Sequence, residues 1–173
     1  MTVEALDDVL VRASRDGDRS AFGRLYTRYS RMVHAIVLSR VPPGEADDLV
    51  QDVFVSALRQ LHALRDERAF GGWLATIARN RANGWHRGAV EVTELPEEIA
   101  SSSTQEDEED ARRALAAVRT LPAAYRETLM MRLVEGMTGP EIAARTGLTP
   151  ESVRVNLHRG MKLLREALKG GSE

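Results

Sequence analysis

Between residues 91 and 110 the chain carries nine acidic side chains and no basic one. With Pro96 and the run Ser101-Ser102-Ser103-Thr104 inside it, that stretch has too little apolar surface to offset the entropy of ordering, so it reads as a solvated linker. Any core must then be built separately on either side. The 173 residues divide into an N-terminal domain, 1–89, an acidic linker, 90–108, and a C-terminal domain, 109–173. The same division explains the charge. The total of −2 conceals 13 Arg/Lys against 11 Asp/Glu in residues 1–90, and 11 bases against six acids in residues 111–173. A basic C-terminal block of this kind is the electrostatic footprint expected of a nucleic-acid binder.

Both sides read as helices. Leu6, Val9, Leu10 and Ala13 recur at helical spacing until Gly17, and Ser20 is placed to cap a second helix with Phe22, Leu25, Tyr26, Tyr29, Val33, Ile36 and Val37 on one face. Pro42-Pro43-Gly44 forces a break. A third helix carries Ala46, Leu49, Val50, Val53, Phe54, Ala57, Leu58 and Leu61. After a polar loop at Arg65–Glu67, a fourth runs from about Phe70 to His86 with Trp73, Leu74, Ile77 and Ala78 inward. Beyond the linker, helices are expected near Glu109–Thr120, Pro122–Glu135, Gly139–Thr146 and Pro150–Leu168. No segment alternates with period two, so the fold class is all-α, two small helical domains joined by a flexible acidic linker.

Composition narrows the function. There is no cysteine, which removes disulfide scaffolds, thiolate metal sites and Cys nucleophiles, and suits a reducing compartment. No apolar run approaches the roughly 20 residues that cross a bilayer. Residues Met1–Leu10 carry acids rather than a basic, apolar leader, so a cytoplasmic protein without membrane insertion is expected. His34, His62, His86 and His158 are scattered, with no phosphate-cradling Gly loop and no nucleophile–base set, and neither catalysis, metal nor cofactor is expected.

The strongest local pattern lies between Thr138 and Leu168. Thr138-Gly-Pro-Glu141 fits a capping box, Ala143 is small where two helices cross, Gly147 permits a tight turn, and Thr149-Pro150 restarts the chain as cap and first turn. Val153, Leu157, Met161, Leu164 and Leu168 then form one stripe of a long helix. Thr149, Glu151, Ser152, Arg154, Asn156, His158, Arg159 and Lys162 are left for the other faces, with Arg165 beyond them. A helix that reads DNA needs this division, since one face must be held while the other offers donors to base edges and phosphates. The plainer account is an amphipathic bundle helix whose basic face is solvated.

Taken together, the two halves resemble the extracytoplasmic-function (ECF) group of bacterial sigma factors. Ala21-Phe22-Gly-Arg-Leu25-Tyr26-Thr-Arg-Tyr29 is similar to that group's early helix, and Ala46-Asp47-Asp48-Leu49-Val50-Gln51-Asp52-Val53-Phe54 to the segment that grips the polymerase clamp helices. Phe70-Gly-Gly-Trp73-Leu74-Ala-Thr-Ile77-Ala78-Arg79-Asn80 resembles the region that engages the minus-10 element. Leu121-Pro122, Arg126, Leu129, Gly136, Glu141-Ile142-Ala143, Gly147, Val153-Arg154 and Leu157-His158-Arg159 resemble the minus-35-reading domain. The resemblance implies a factor that binds core RNA polymerase and directs promoter-specific initiation. Its other implied partners are double-stranded minus-35 DNA, single-stranded minus-10 DNA and an anti-sigma factor.

Carried onto this chain, the resemblance assigns polymerase binding to Asp47, Asp48, Leu49, Gln51, Asp52 and Phe54. Helical spacing puts Asp48 and Asp52 on one side. Minus-10 contacts fall on Arg65, Arg68, Phe70, Arg79, Asn80, Arg81, His86 and Arg87, which offer cations for a backbone and surfaces for an unstacked base. Trp73 shares a face with Leu74 and Ile77 and reads as core, while Trp85 is open to either role. The linker's acids could mimic nucleic acid in a polymerase channel, or serve only as a spacer. Gly84, Asn156 and Met161 depart from the family pattern, the first where an Asp is usual and the others where bases are frequent.

Three other readings compete. A helix-turn-helix regulator that binds DNA without polymerase docking needs a receiver-like βα pattern or ligand pocket upstream, and residues 1–90 offer neither. A helical adaptor for proteins alone would ignore promoter DNA. An enzyme lacks a constellation to work with.

Overall fold

The computed structural model describes residues 3–88 and 105–170; the expected linker, up to residue 104, lies outside them. Eight α-helices are described: α1 Val3–Arg15, α2 Arg19–Leu38, α3 Pro43–Gln60, α4 Phe70–Gly88, α5 Gln105–Arg119, α6 Ala123–Leu133, α7 Gly139–Thr146 and α8 Pro150–Gly170. No strand occurs among the described residues, and the all-α reading holds.

Local chemistry fixes the boundaries. Gly17 takes φ +95, where a side chain would be strained, and the next residue caps α2. That cap is Asp18, not Ser20 as the spacing predicts. Its carboxylate accepts from Ser20 N (2.8 Å) and Ala21 N (3.1 Å), and Ser20 lies inside the helix. A carboxylate is the better partner for orphan N–H groups at the positive end of a helix. The polar loop after α3 is two 3-10 turns, Leu61–Ala63 and Glu67–Ala69. α5 begins at Gln105, four residues before the expected Glu109, so that Glu106, Asp107 and Glu108 form its first turn. Acids there complement the helix dipole and extend the helix into the acidic stretch. Gly84 does not interrupt α4, which runs on to Gly88.

α1 to α4 pack around Leu25, Met32, Val33, Ile36, Val53, Phe70 and Leu74, all buried. α5 to α8 pack around Leu129, Met137, Ile142, Val153 and Leu164. The two groups do not stand apart. In α6 five consecutive residues, Glu127 to Met131, are buried, which exceeds a single helical face and requires cover on more than one side. α8 supplies one cover and α2 another, while α7 rests on α4 and α2. The buried residues of both groups form a single continuous cluster.

Candidate functional site

Asp47, Asp48, Gln51 and Asp52 are exposed on α3, as a docking face requires. Leu49 and Phe54, expected with them, point the other way and are buried. Phe54 lies 4.5 Å from the Tyr26 ring and 6.4 Å, edge-on, from Phe22, and its small exposed edge forms part of the floor of the face. The exposed apolar surface beside the carboxylates comes instead from Val55 and Leu58, each about half exposed, and from Tyr26. With Gln51 they line a groove of about 260 Å³. Leu58 was expected inside and Val55 was not singled out. Their signal is spacing: Val55 and Leu58 stand four and seven residues after exposed Gln51, on the same helix row.

The expected minus-10 residues divide in the same manner. Arg65 and Arg68 are exposed, the latter 3.4 Å from Asp66. They border a cleft of about 660 Å³ whose other wall is the end of α7 and the turn after it, Ala143–Leu148. Phe70 is a correction: it is fully buried, 5.1 Å from the Tyr29 ring and 5.9 Å from Trp73, and has no face for a base. Asn80 is exposed, and exposed Arg81 donates to the Ser56 hydroxyl. The side chains of His86 and Arg87 lie outside the described residues. Trp73 is half-buried on the core as expected. Trp85 also packs partly on the core, beside a cavity of about 490 Å³ bordered by Arg40, Arg119 and Arg126.

Arg79 is engaged within the chain. Its Nε and Nη2 donate to the two carboxylate oxygens of Glu127 at 2.9 and 2.8 Å, and Arg40 Nη2 lies 2.7 Å from the same carboxylate. Glu127 is 6% exposed. Burial opposes its ionisation, but Arg79 and Arg40 more than compensate and hold the carboxyl below its usual range. The Glu127 hydrogen bond in turn raises Arg79 against the pull of burial. Burial and the neighbouring Arg40 charge push Arg126 down. Sequence reading did not single out Glu127. The available signal is a carboxylate followed at once by Thr128-Leu129-Met130-Met131 in a buried helix.

The helix-turn-helix forms as its sequence predicts. The Thr138 hydroxyl accepts from Glu141 N at 3.3 Å, and the Glu141 carboxylate accepts from Thr138 N at 2.7 Å. Gly147 takes φ +76, and Thr149 Oγ1 accepts from Ser152 N at 3.1 Å to start α8. Thr149, Glu151, Ser152, Arg154, His158, Arg159 and Lys162 are exposed along one side, whereas Asn156 is half-buried. Of the expected inner stripe Val153 and Leu164 are buried and Leu168 is exposed. Gly160 completes the inner face, since a Cβ there would stand 3.1 Å from Leu129.

Two family models match the chain: sigma-70 region 2 over residues 25–89, and sigma-70 region 4 over residues 111–164. Together they span more than half of it. The chain belongs to the ECF group of sigma factors. It is 34% identical to the RNA polymerase sigma factor CarQ of Myxococcus xanthus, with 89% of this chain and 92% of that protein aligned. It is 29% identical to the ECF RNA polymerase sigma-E factor of Escherichia coli (strain K12), over 95% of each. Among solved structures it resembles CnrH in complex with the cytosolic domain of CnrY, at 26% identity and TM-score 0.64, covering 96% of this chain and 99% of that one.

In this sigma factor the region 2 match contains the α3 face and the Arg65–Asn80 surface, and the region 4 match contains α7 and α8 as far as residue 164. No helix among the described residues is long and apolar enough to cross a membrane. Membership in the family favours initiation over the alternative of a helix-turn-helix regulator acting without polymerase.

Proposed function

We propose that this sigma factor docks on core RNA polymerase through α3, and reads promoters with two domains of divided labour. Asp47, Asp48, Gln51 and Asp52 supply the charged rim of the docking face, and Val55 and Leu58 its apolar floor. The single observation that carries this is the exposure of those carboxylates beside uncovered aliphatic surface, a combination that resembles a protein interface more than a solvated face. Residues 1–89 bind the clamp and the melted minus-10 strand, with Arg65, Arg68, Arg79, Asn80 and Arg81 as the cations and donors. Residues 109–173 place α8 in the minus-35 major groove, where Arg154, His158, Arg159 and Lys162 reach phosphates and base edges. Of the expected tether, 90–108, residues 105–108 belong to α5, which leaves 90–104 to join the two domains.

The protein performs no chemistry of its own and works in the cytoplasm, where polymerase is. An anti-sigma factor covering the α3 face would hold it inactive, as the family resemblance implies. The test is co-migration with purified core polymerase. Wild-type protein is expected to form a stoichiometric complex that then binds genomic promoter fragments. Binding of those fragments by the protein alone, with no affinity for core, points to the ordinary helix-turn-helix regulator.

A further inference from the structure

We infer that the cavity beside Trp85 is a binding site for a small polyphosphate anion, held by Arg119 and Arg126 in the field of the buried Arg40. The polymerase and promoter contacts proposed above do not use it. The cavity holds about 490 Å³, within the size range of small-ligand pockets. It is bordered by the turn between α2 and α3, by Asn83 and Trp85 of α4, by Arg119 at the end of α5 and by Arg126 in α6. Its described lining carries the guanidiniums of Arg40, Arg119 and Arg126 and no carboxylate. The acid at hand is Glu127, which Arg40 and Arg79 already share. Arg40, Arg79, Arg119 and Arg126 therefore stand against one carboxylate, and a surplus of partly buried positive charge is costly until an anion meets it.

Arg126 locates the demand. Its Nη1 donates to the Arg119 carbonyl at 3.2 Å, but its Nε is buried with no hydrogen-bond partner among the described residues. A buried N–H without an acceptor costs more than an ordinary hydrogen bond returns, so such a donor answers to a ligand, an ion or a water. Burial and the Arg40 charge already disfavour the charged form of Arg126, the reverse of Arg79 with its carboxylate. Arg40, with 8% of its side chain exposed, cannot turn away into solvent. Arg119 is braced, donating to the Leu38 carbonyl at 3.0 Å and to the Val41 carbonyl, so its guanidinium is held at the rim before any ligand arrives. A polyphosphate suits this lining better than a carboxylate does. It spreads several negative charges over many acceptor oxygens, which planar guanidiniums take in pairs. Half-buried Trp85 and exposed Asn83 add a flat apolar wall and an amide beside it. A nucleoside polyphosphate and an inorganic one share the chemistry that the arginines recognise.

The test titrates full-length protein with sodium pyrophosphate and with ATP, following calorimetric heat and tryptophan emission. Saturable binding is expected, with an emission change that disappears in Trp85→Phe. Arg126→Gln is expected to weaken binding at least about tenfold, as loss of a hydrogen bond to a charged group implies. It also removes a cation crowded by Arg40, so without anion it is expected to melt at or above the wild-type temperature. Weaker binding then cannot be laid to misfolding, and Arg119→Gln provides a second, independent loss. Tighter binding of ATP than of pyrophosphate assigns the site to nucleotides, and equal or weaker binding assigns it to the inorganic anion. No saturable binding of either probe overturns the site and leaves a water as the partner of Arg126 Nε. Binding that both arginine variants leave unchanged, or an emission change that persists in Trp85→Phe, overturns it as well, because the anion then sits elsewhere.

Discussion

Arg79 and Glu127 stand 48 residues apart in sequence, and a fork of hydrogen bonds joins them across the two domains. Glu127 is nearly covered, while the Arg79 side chain keeps 38% of its surface exposed. That asymmetry sets the cost of breaking the pair. Removing one member of a buried ion pair typically costs about 3–5 kcal/mol. Here Arg79 can rehydrate, but Arg40, on the same carboxylate, has only 8% of its side chain exposed and cannot, so Glu127→Ala is expected to cost about 3–5 kcal/mol. Because the Glu127 carboxyl is held below its ordinary 4.5, the pair's contribution is present above that value and is lost as pH falls through the lowered one. Urea unfolding of wild type and Glu127→Ala at neutral and acidic pH checks both points. Equal stabilities at neutral pH would count against the pair.

His34 introduces a pH dependence of the opposite sign. Its Nδ1 bonds the Glu135 carboxylate, and its Nε2 lies 3.9 Å from Asp47. Arg31 also faces this cluster, reaching the Glu135 carbonyl at 3.3 Å. The Glu135 hydrogen bond, opposed by burial and helped by both carboxylate charges, raises His34 above its ordinary 6.5. A raised value means that the stabilisation is fully present below 6.5 and is lost as pH rises through the raised value. The melting temperature is expected to fall across that interval in wild type and to fall less in His34→Gln. Parallel profiles would exclude His34 as the titrating group.

Phe70 separates packing from recognition. It is fully buried between Tyr29 and Trp73, so Phe70→Ala is expected to cost about 3–5 kcal/mol of stability through the cavity it leaves. Thermal unfolding reads this directly. A variant of wild-type stability that fails only in strand opening would restore the base-contact role that burial denies.

The helices were legible because apolar residues recur at their period, and the helix-turn-helix because Thr138, Glu141, Gly147 and Thr149 each have a local task. Side-chain direction was less so. Leu49, Phe54 and Phe70 belong to motifs that the family resemblance ties to binding, yet an apolar residue in such a motif serves equally well beneath a surface. Only the three-dimensional packing of α2 on α3 and α4 decides it. Glu127 was invisible for another reason. Its partners come from the opposite domain, and no local spacing encodes a contact between residues so distant in the chain.

The α8 face makes a prediction about salt. Arg159 and Lys162 are exposed farther along α8 than Arg154, suited to phosphates rather than to the groove floor. Arg159→Ala is expected to weaken promoter binding by the polymerase complex at all sequences alike, and to reduce the salt slope by about 1. Titrations at several salt concentrations measure the slope. Loss confined to one minus-35 sequence, at unchanged slope, would mark Arg159 as a base reader.

The most direct test of the account is transcription start mapping with core RNA polymerase on genomic fragments, using wild-type protein and the double variant Asp48→Ala, Gln51→Ala. Both substitutions lie on the exposed side of α3 and leave the core untouched. Specific start sites with wild type, lost in the folded double variant, are the predicted result. No specific start with wild-type protein and active core, or starts unaffected by the double variant, would contradict initiation through the α3 face.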